Sequence, residues 1–135
     1  MFKPKGAERR PKGNLEIAKT RQFLEQNGSK FKPGNHGPVF EWRSYTIKPH
    51  SLGGIQERWG AALEQRQKLS PCLMAMSTEI GPLNKFVHIW PYESLNHRAE
   101  VRAEAAAKGI WPPKGGGDEL IRQENKIVFA APFSP

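Results

Sequence analysis

The residues with most chemistry to offer fall in two short runs. VFEWRSYTIK, residues 39–48, alternates, which sets Glu41, Arg43, Tyr45 and Ile47 on one face and Phe40, Trp42, Ser44 and Thr46 on the other. KFVHIWPYE, residues 85–93, holds His88 in step with Phe86, Trp90 and Tyr92. A carboxylate, a guanidinium, a phenol and an imidazole facing one space are the parts of a proton-transfer site or a small-ligand pocket. They are also the parts of a buried network in which each polar group satisfies another. The preferred reading of His88 is the second, a satisfied core histidine partnered by Glu41, Arg43 and Tyr45. Its rival makes His88, Glu41, Arg43 and Tyr45 an active site.

Other chemistry is thin. His36, His50, His88 and His97 show no ligand spacing with cysteine or acid clusters, so no metal site is expected, and nothing calls for a cofactor. Cys72 is the only cysteine, which excludes an internal disulfide. Gly115 to Gly117 lack the preceding strand and GK[ST] ending of a phosphate loop. Glu79 sits beside a turn and reads as a partner for a backbone amide or a basic neighbour. His97, early in a helix, reads as solvated. Trp111, beside Pro112 and Pro113, reads either as a contact anchor for a partner or as a cover folded back over the domain.

Charge is unevenly placed. The 135-residue chain carries a formal +8. Residues 1–37 hold nine basic side chains against three acidic ones, a local +6, leaving +2 for the other 98 residues. Residues 1–38 therefore read as a basic Pro/Gly-rich arm with one short helix between Asn14 and Gly28, ahead of a near-neutral domain over 39–135. Lys3, Lys5, Arg9, Arg10, Lys12, Lys19 and Arg21 supply the charge, and Phe23 an apolar contact. Such an arm favours an acidic protein surface or RNA. No apolar run is long enough to span a membrane, and the first residues lack a signal-peptide core. Glu8, Glu16 and scarce serine match a transit peptide poorly.

The positioning elements are set by periodicity and punctuation. The strand from Val39 precedes an amphipathic helix over about 52–69, with Leu52, Ile55, Trp59, Ala62, Leu63 and Arg66 on its stripe. Pro71 ends it. Residues 72–80 predict a second strand, GPLN at 81–84 a four-residue turn, and 85–93 a third strand. Ser94 caps a helix over about 95–108, and Gly109 closes it. A loop rich in Pro and Gly leads to a fourth strand over about 122–133. The order β-α-β-β-α-β is the ferredoxin-like α+β pattern. A sheet apolar on both faces wants a second cover, which a two-fold copy would supply. The His88 group is expected inside the barrel so formed.

VFEWRSYTIKP, RQKLSP, TEIGPLNKFVHIWPYESLNHRAEVRA and the closing APFSP, in this order, resemble the NIPSNAP family over residues 39–135. The resemblance implies a ferredoxin-like domain of the dimeric α/β-barrel type, a mitochondrial location, and no family-wide catalytic activity. With its basic arm and barrel surface expected to dock it, the chain reads as a non-enzymatic module among the protein subunits of a larger mitochondrial assembly, either a mitoribosome or a respiratory complex. Some barrels of this shape are small monooxygenases or bind haem, which keeps the His88 group open as an enzyme or ligand site. The basic arm lies outside the resemblance, and the loop IWPPKGGG departs from it.

Overall fold

The structure, a computed structural model, describes residues 31, 32 and 34–134, together with Lys19 and Gln22. The rest of the expected arm helix, and Lys3, Lys5, Arg9, Arg10, Lys12, Arg21 and Phe23, lie outside the described residues. Lys19 and Gln22 are helical and exposed. The unit Phe31–Pro135 carries the sheet and the helices that pack on it.

Its elements run β1 (Val39–Ile47), α1 (Leu52–Gln67), β2 (Met74–Ser77), β3 (Lys85–Tyr92), α2 (Leu95–Ala107), a single 3₁₀ turn (Gly117–Glu119) and β4 (Leu120–Phe129). The four strands form one antiparallel sheet in the order β2-β3-β1-β4, the arrangement predicted for the ferredoxin-like pattern. β1 and β3, the most aromatic and β-branched segments, take the two central places, where such residues pack best.

Two predicted strands have different lengths. β2 keeps only four residues, because the Thr78 N–H to Lys85 carbonyl bond is the last contact of that hairpin. Beyond it Ile80 and Leu83 are exposed, and residues 78–84 form a longer connection than the expected turn. β4 starts earlier and stops at Phe129 rather than near residue 133, since Val39 at the start of β1 is its last partner.

Register decides what each face carries. Glu41 opposes Trp90, Arg43 opposes His88, and Tyr45 opposes Phe86, so these residues share one face. Both helices cover it. Val39, Cys72, Trp90, Tyr92 and Val101 form one apolar cluster, and Tyr45, Ile47, Ile55 and Phe86 another. Trp59 of α1 packs against both clusters and joins them. Burying each large side chain stabilises the fold by roughly 1.5–3 kcal/mol. Ser94 caps α2 by accepting the His97 N–H at 3.0 Å, as predicted, while the His97 ring accepts the Glu93 N–H at 3.2 Å. His97 is thus a working part of the cap rather than a solvated bystander.

The opposite face carries Phe40, Trp42, Val87, Ile89, Met74 and Met76, and no described element covers it. Trp42 is 40% exposed and Met74 37%.

Candidate functional site

The four residues singled out by alternation do meet, but not on the open face. Glu41, Tyr45 and His88 are buried and Arg43 nearly so, all beneath the helices of the same chain. The barrel-interior placement is therefore corrected. Alternation separates two faces but does not say which one the helices choose. Here they choose the face with Phe86, Trp90 and Tyr92, the bulkiest apolar set.

Glu41 is the electrostatic centre. Its Oε1 accepts Arg43 Nη1 at 3.0 Å and Arg98 Nη2 at 2.7 Å, with Arg102 Nη1 at 4.0 Å. Burial alone would raise its pKa, but the Arg98 hydrogen bond and the charges of Arg43, Arg98 and Arg102 outweigh that and hold the carboxyl below its ordinary value. Its Oε2 is buried without a partner among the described residues. Arg43 also donates its Nε–H to Tyr45 Oη at 2.8 Å, fixing the phenol.

His88 is enclosed by aromatic rings: Trp59 at 4.4 Å, Tyr45 at 4.9 Å and Phe86 at 5.7 Å between centroids. Trp90 donates its indole N–H to His88 Nδ1 at 2.5 Å. Burial, aided by the nearby Arg43 charge and opposed by Glu41, pushes the His88 pKa down to about 3. The ring is neutral, its proton sits on Nε2, and that nitrogen has no partner among the described residues.

Arg66 has a place that the sequence alone did not disclose. It lies on the apolar stripe of α1 and is only 2% exposed. Nη2 donates to Tyr92 Oη at 3.0 Å, Nη1 to the Ser70 carbonyl at 3.2 Å, and the guanidinium stacks 4.5 Å from the Trp90 ring. None of these partners carries charge. A basic residue in phase with Ile55, Trp59 and Leu63 was the visible signal. Arg98 and Arg102 gave a second signal, one helical turn apart on α2.

Between sheet and helices these side chains enclose a cavity of about 270 Å³. That is close to the lower end of the roughly 300–1,000 Å³ typical of small-molecule sites. Polar walls come from Glu41, Arg43, Arg66, His88 and Arg102, and apolar walls from Ile55, Trp59, Trp90 and Trp111. Trp111 folds back across the domain, its ring 4.4 Å from Trp59 and 5.5 Å from Trp90. The glycines after it complete the rim, where Arg58 and Glu119 pair. Gly116 has φ +72°, and a Cβ there would run into both members of that pair.

Among the described residues no cluster of histidine, cysteine and acids could hold a metal. Cys72 is buried beside the Met74 and Ile89 carbonyls, and burial pushes its thiol up to about 11, leaving it a poor nucleophile.

Residues 40–135 match the sequence profile of the NIPSNAP family. NipSnap homolog 3B of Homo sapiens is 32% identical over 129 residues, covering 90% of this chain and 52% of that protein. The chain spans about half the length of that relative and of human homolog 3A, and about a third of the Dictyostelium discoideum homolog. A solved NIPSNAP family protein of Agrobacterium tumefaciens is 32% identical, with a TM-score of 0.66 over 78% of this chain and 98% of its own. A Nitrosomonas europaea structure bearing the name of an antibiotic biosynthesis monooxygenase is 12% identical, with a TM-score of 0.57 over 78% of this chain and all of its own, and shares the fold alone.

Proposed function

This chain belongs to the NIPSNAP family, and from that premise we propose that it is a small-ligand-binding domain whose ligand sits in the cavity around His88. One observation carries the reading. The cavity gathers a neutral histidine with a free Nε2–H, several guanidinium groups and three indole rings into one partly closed space. The set favours binding over acid–base catalysis. A histidine with a pKa of about 3 is a weak base at neutral pH, and Glu41 is held ionised by its arginines. The test is a fragment screen on the full chain, following indole N–H resonances by NMR. Ligands should move the signals of Trp59, Trp90 and Trp111 and leave Trp42, on the opposite face, in place. Shifts confined to Trp42, or none, count against the reading.

A second reading concerns partners and rests on charge and on the open sheet face. The local +6 of residues 1–37 supports docking onto an acidic surface of a larger mitochondrial assembly, and the apolar face of Phe40, Trp42 and Ile89 supports pairing with a second copy. Replacing Lys3, Lys5, Arg9, Arg10 and Lys12 with Glu should release the protein from a salt-sensitive large particle. Nuclease treatment separates an RNA target from a protein one. Unchanged co-sedimentation of that variant ends the docking reading.

A further inference from the structure

Charge around the cavity does not balance. Arg43, Arg66, Arg98 and Arg102 surround or line it, and among the described residues Glu41 is the only carboxylate in contact with any of the four. Arg58 is already matched by Glu119. The excess is three positive charges, of which Arg66, 2% exposed, is the one fully shut away from solvent, while Arg98 and Arg102 reach it in part. Buried charge is costly unless paired, and an unmatched cationic cavity is an anion site in waiting. The hydrogen-bonding inventory agrees. Arg66 Nε and His88 Nε2 are buried donors without partners among the described residues. Neutral His88 offers a proton without adding charge.

The walls describe the rest of the ligand. Trp59 and Trp111 meet edge to face, 4.4 Å between centroids and 85° apart, and with Ile55 and Trp90 they give the cavity an apolar wall. At about 270 Å³ the space takes one small ring system and a short polar head. Guanidinium forks take carboxylate and phosphate alike, so desolvation makes the choice. A doubly charged phosphate costs more than a singly charged carboxylate to desolvate among three indoles.

We infer that the cavity binds a small organic carboxylate: the anionic head lies among Arg43, Arg66, Arg102 and His88, and an apolar body lies against the wall of Ile55, Trp59 and Trp111. This rests on the cavity being the ligand site proposed above. Glu41, through its contacts to Arg43 and Arg98, acts as a positioning residue that keeps the guanidinium groups in place.

The test titrates the full chain by calorimetry with four probes, namely phenylacetate, its neutral counterpart phenylacetamide, acetate, and phenyl phosphate, while the indole N–H signals are followed by NMR. Phenylacetate should bind at least about tenfold more tightly than phenylacetamide, the equivalent of one charge-assisted hydrogen bond. Acetate should be weaker than phenylacetate, since it leaves the apolar wall of Ile55, Trp59 and Trp111 uncovered. Arg66→Gln should erase most of the preference for the acid over the amide. Should that buried variant fail to fold, Arg102→Gln, at the more exposed rim, should reduce the same preference. Equal or tighter binding of the amide, with shifts still on Trp59 and Trp111, overturns the anion inference and leaves the cavity reading standing. Tighter binding of phenyl phosphate overturns the carboxylate assignment. If no probe moves Trp59 or Trp111 while the neutral-fragment screen does, the ligand class is wrong and the site stands. If neither does, both fall.

Discussion

Trp90 and His88, two positions apart on β3, are joined side chain to side chain, the indole N–H donating to Nδ1 at 2.5 Å. That bond makes Nδ1 the acceptor and leaves the proton on Nε2 beside the cavity. It also removes the histidine as a base, because protonating Nδ1 would break the bond and place a charge near Arg43.

His88 therefore makes stability depend on pH. Its folded pKa of about 3 lies below the ordinary 6.5, so between those values the unfolded chain binds the extra proton. Stability is full above pH 6.5 and falls as pH drops, by up to about 1.4 kcal/mol per unit. Glu41, with a depressed folded pKa, adds a loss in the same direction below its ordinary 4.5. Urea titrations from pH 7.5 to 4.5 should show the decline, and His88→Phe should flatten it. An unchanged slope in that variant would assign the decline elsewhere.

Glu41→Gln removes the carboxylate that contacts Arg43, Arg98 and Arg102. Stranding buried charge in this way costs about 3–5 kcal/mol. The urea midpoint should drop accordingly with the slope unchanged. A loss under about 1 kcal/mol would mean that the arginines relax into solvent.

The loop after Trp111 offers a contrast of neighbours. Gly116→Ala meets both a positive φ and the Arg58–Glu119 pair, whereas a Cβ at Gly117 meets nothing within 4 Å. The first should cost about 1–2 kcal/mol and the second within about 0.5 kcal/mol of zero. Thermal melts of the two variants, compared with wild type, decide it.

Trp42→Glu tests the uncovered face. Since Trp42 is 40% exposed and opposite the cavity, the domain should still fold and keep its ligand response. Sedimentation should show wild type near twice the 15.2 kDa chain mass and the variant near that mass itself. A wild type that is monomeric at all concentrations would end the pairing proposal.

Cys72 should resist iodoacetamide at pH 8 in the folded chain and react promptly in urea, because burial holds its thiol at about 11. Fast labelling of the folded chain would show that α1 opens away from β3.

By itself, the sequence determined the element order, the sheet class and the membership of the two faces. Period-two alternation in VFEWRSYTIK and KFVHIWPYE fixed which side chains travel together, and Ser94 and Pro71 fixed helix ends, because these effects act over a few residues. It even placed Arg66 on an apolar stripe, an oddity whose meaning was not legible. Only the tertiary structure decided which face the helices cover, and so that Glu41, Arg43, Tyr45 and His88 lie within one chain rather than between copies. It also brought Arg102 from α2, Arg66 from α1 and Trp111 from the loop to the same cavity, and Arg98 from α2 to Glu41. The physical reason is distance along the chain: Glu41 and Arg98 are 57 residues apart. No local pattern records which of many arginines will meet a buried carboxylate. That choice is made when two helices settle on the bulkier side of a sheet.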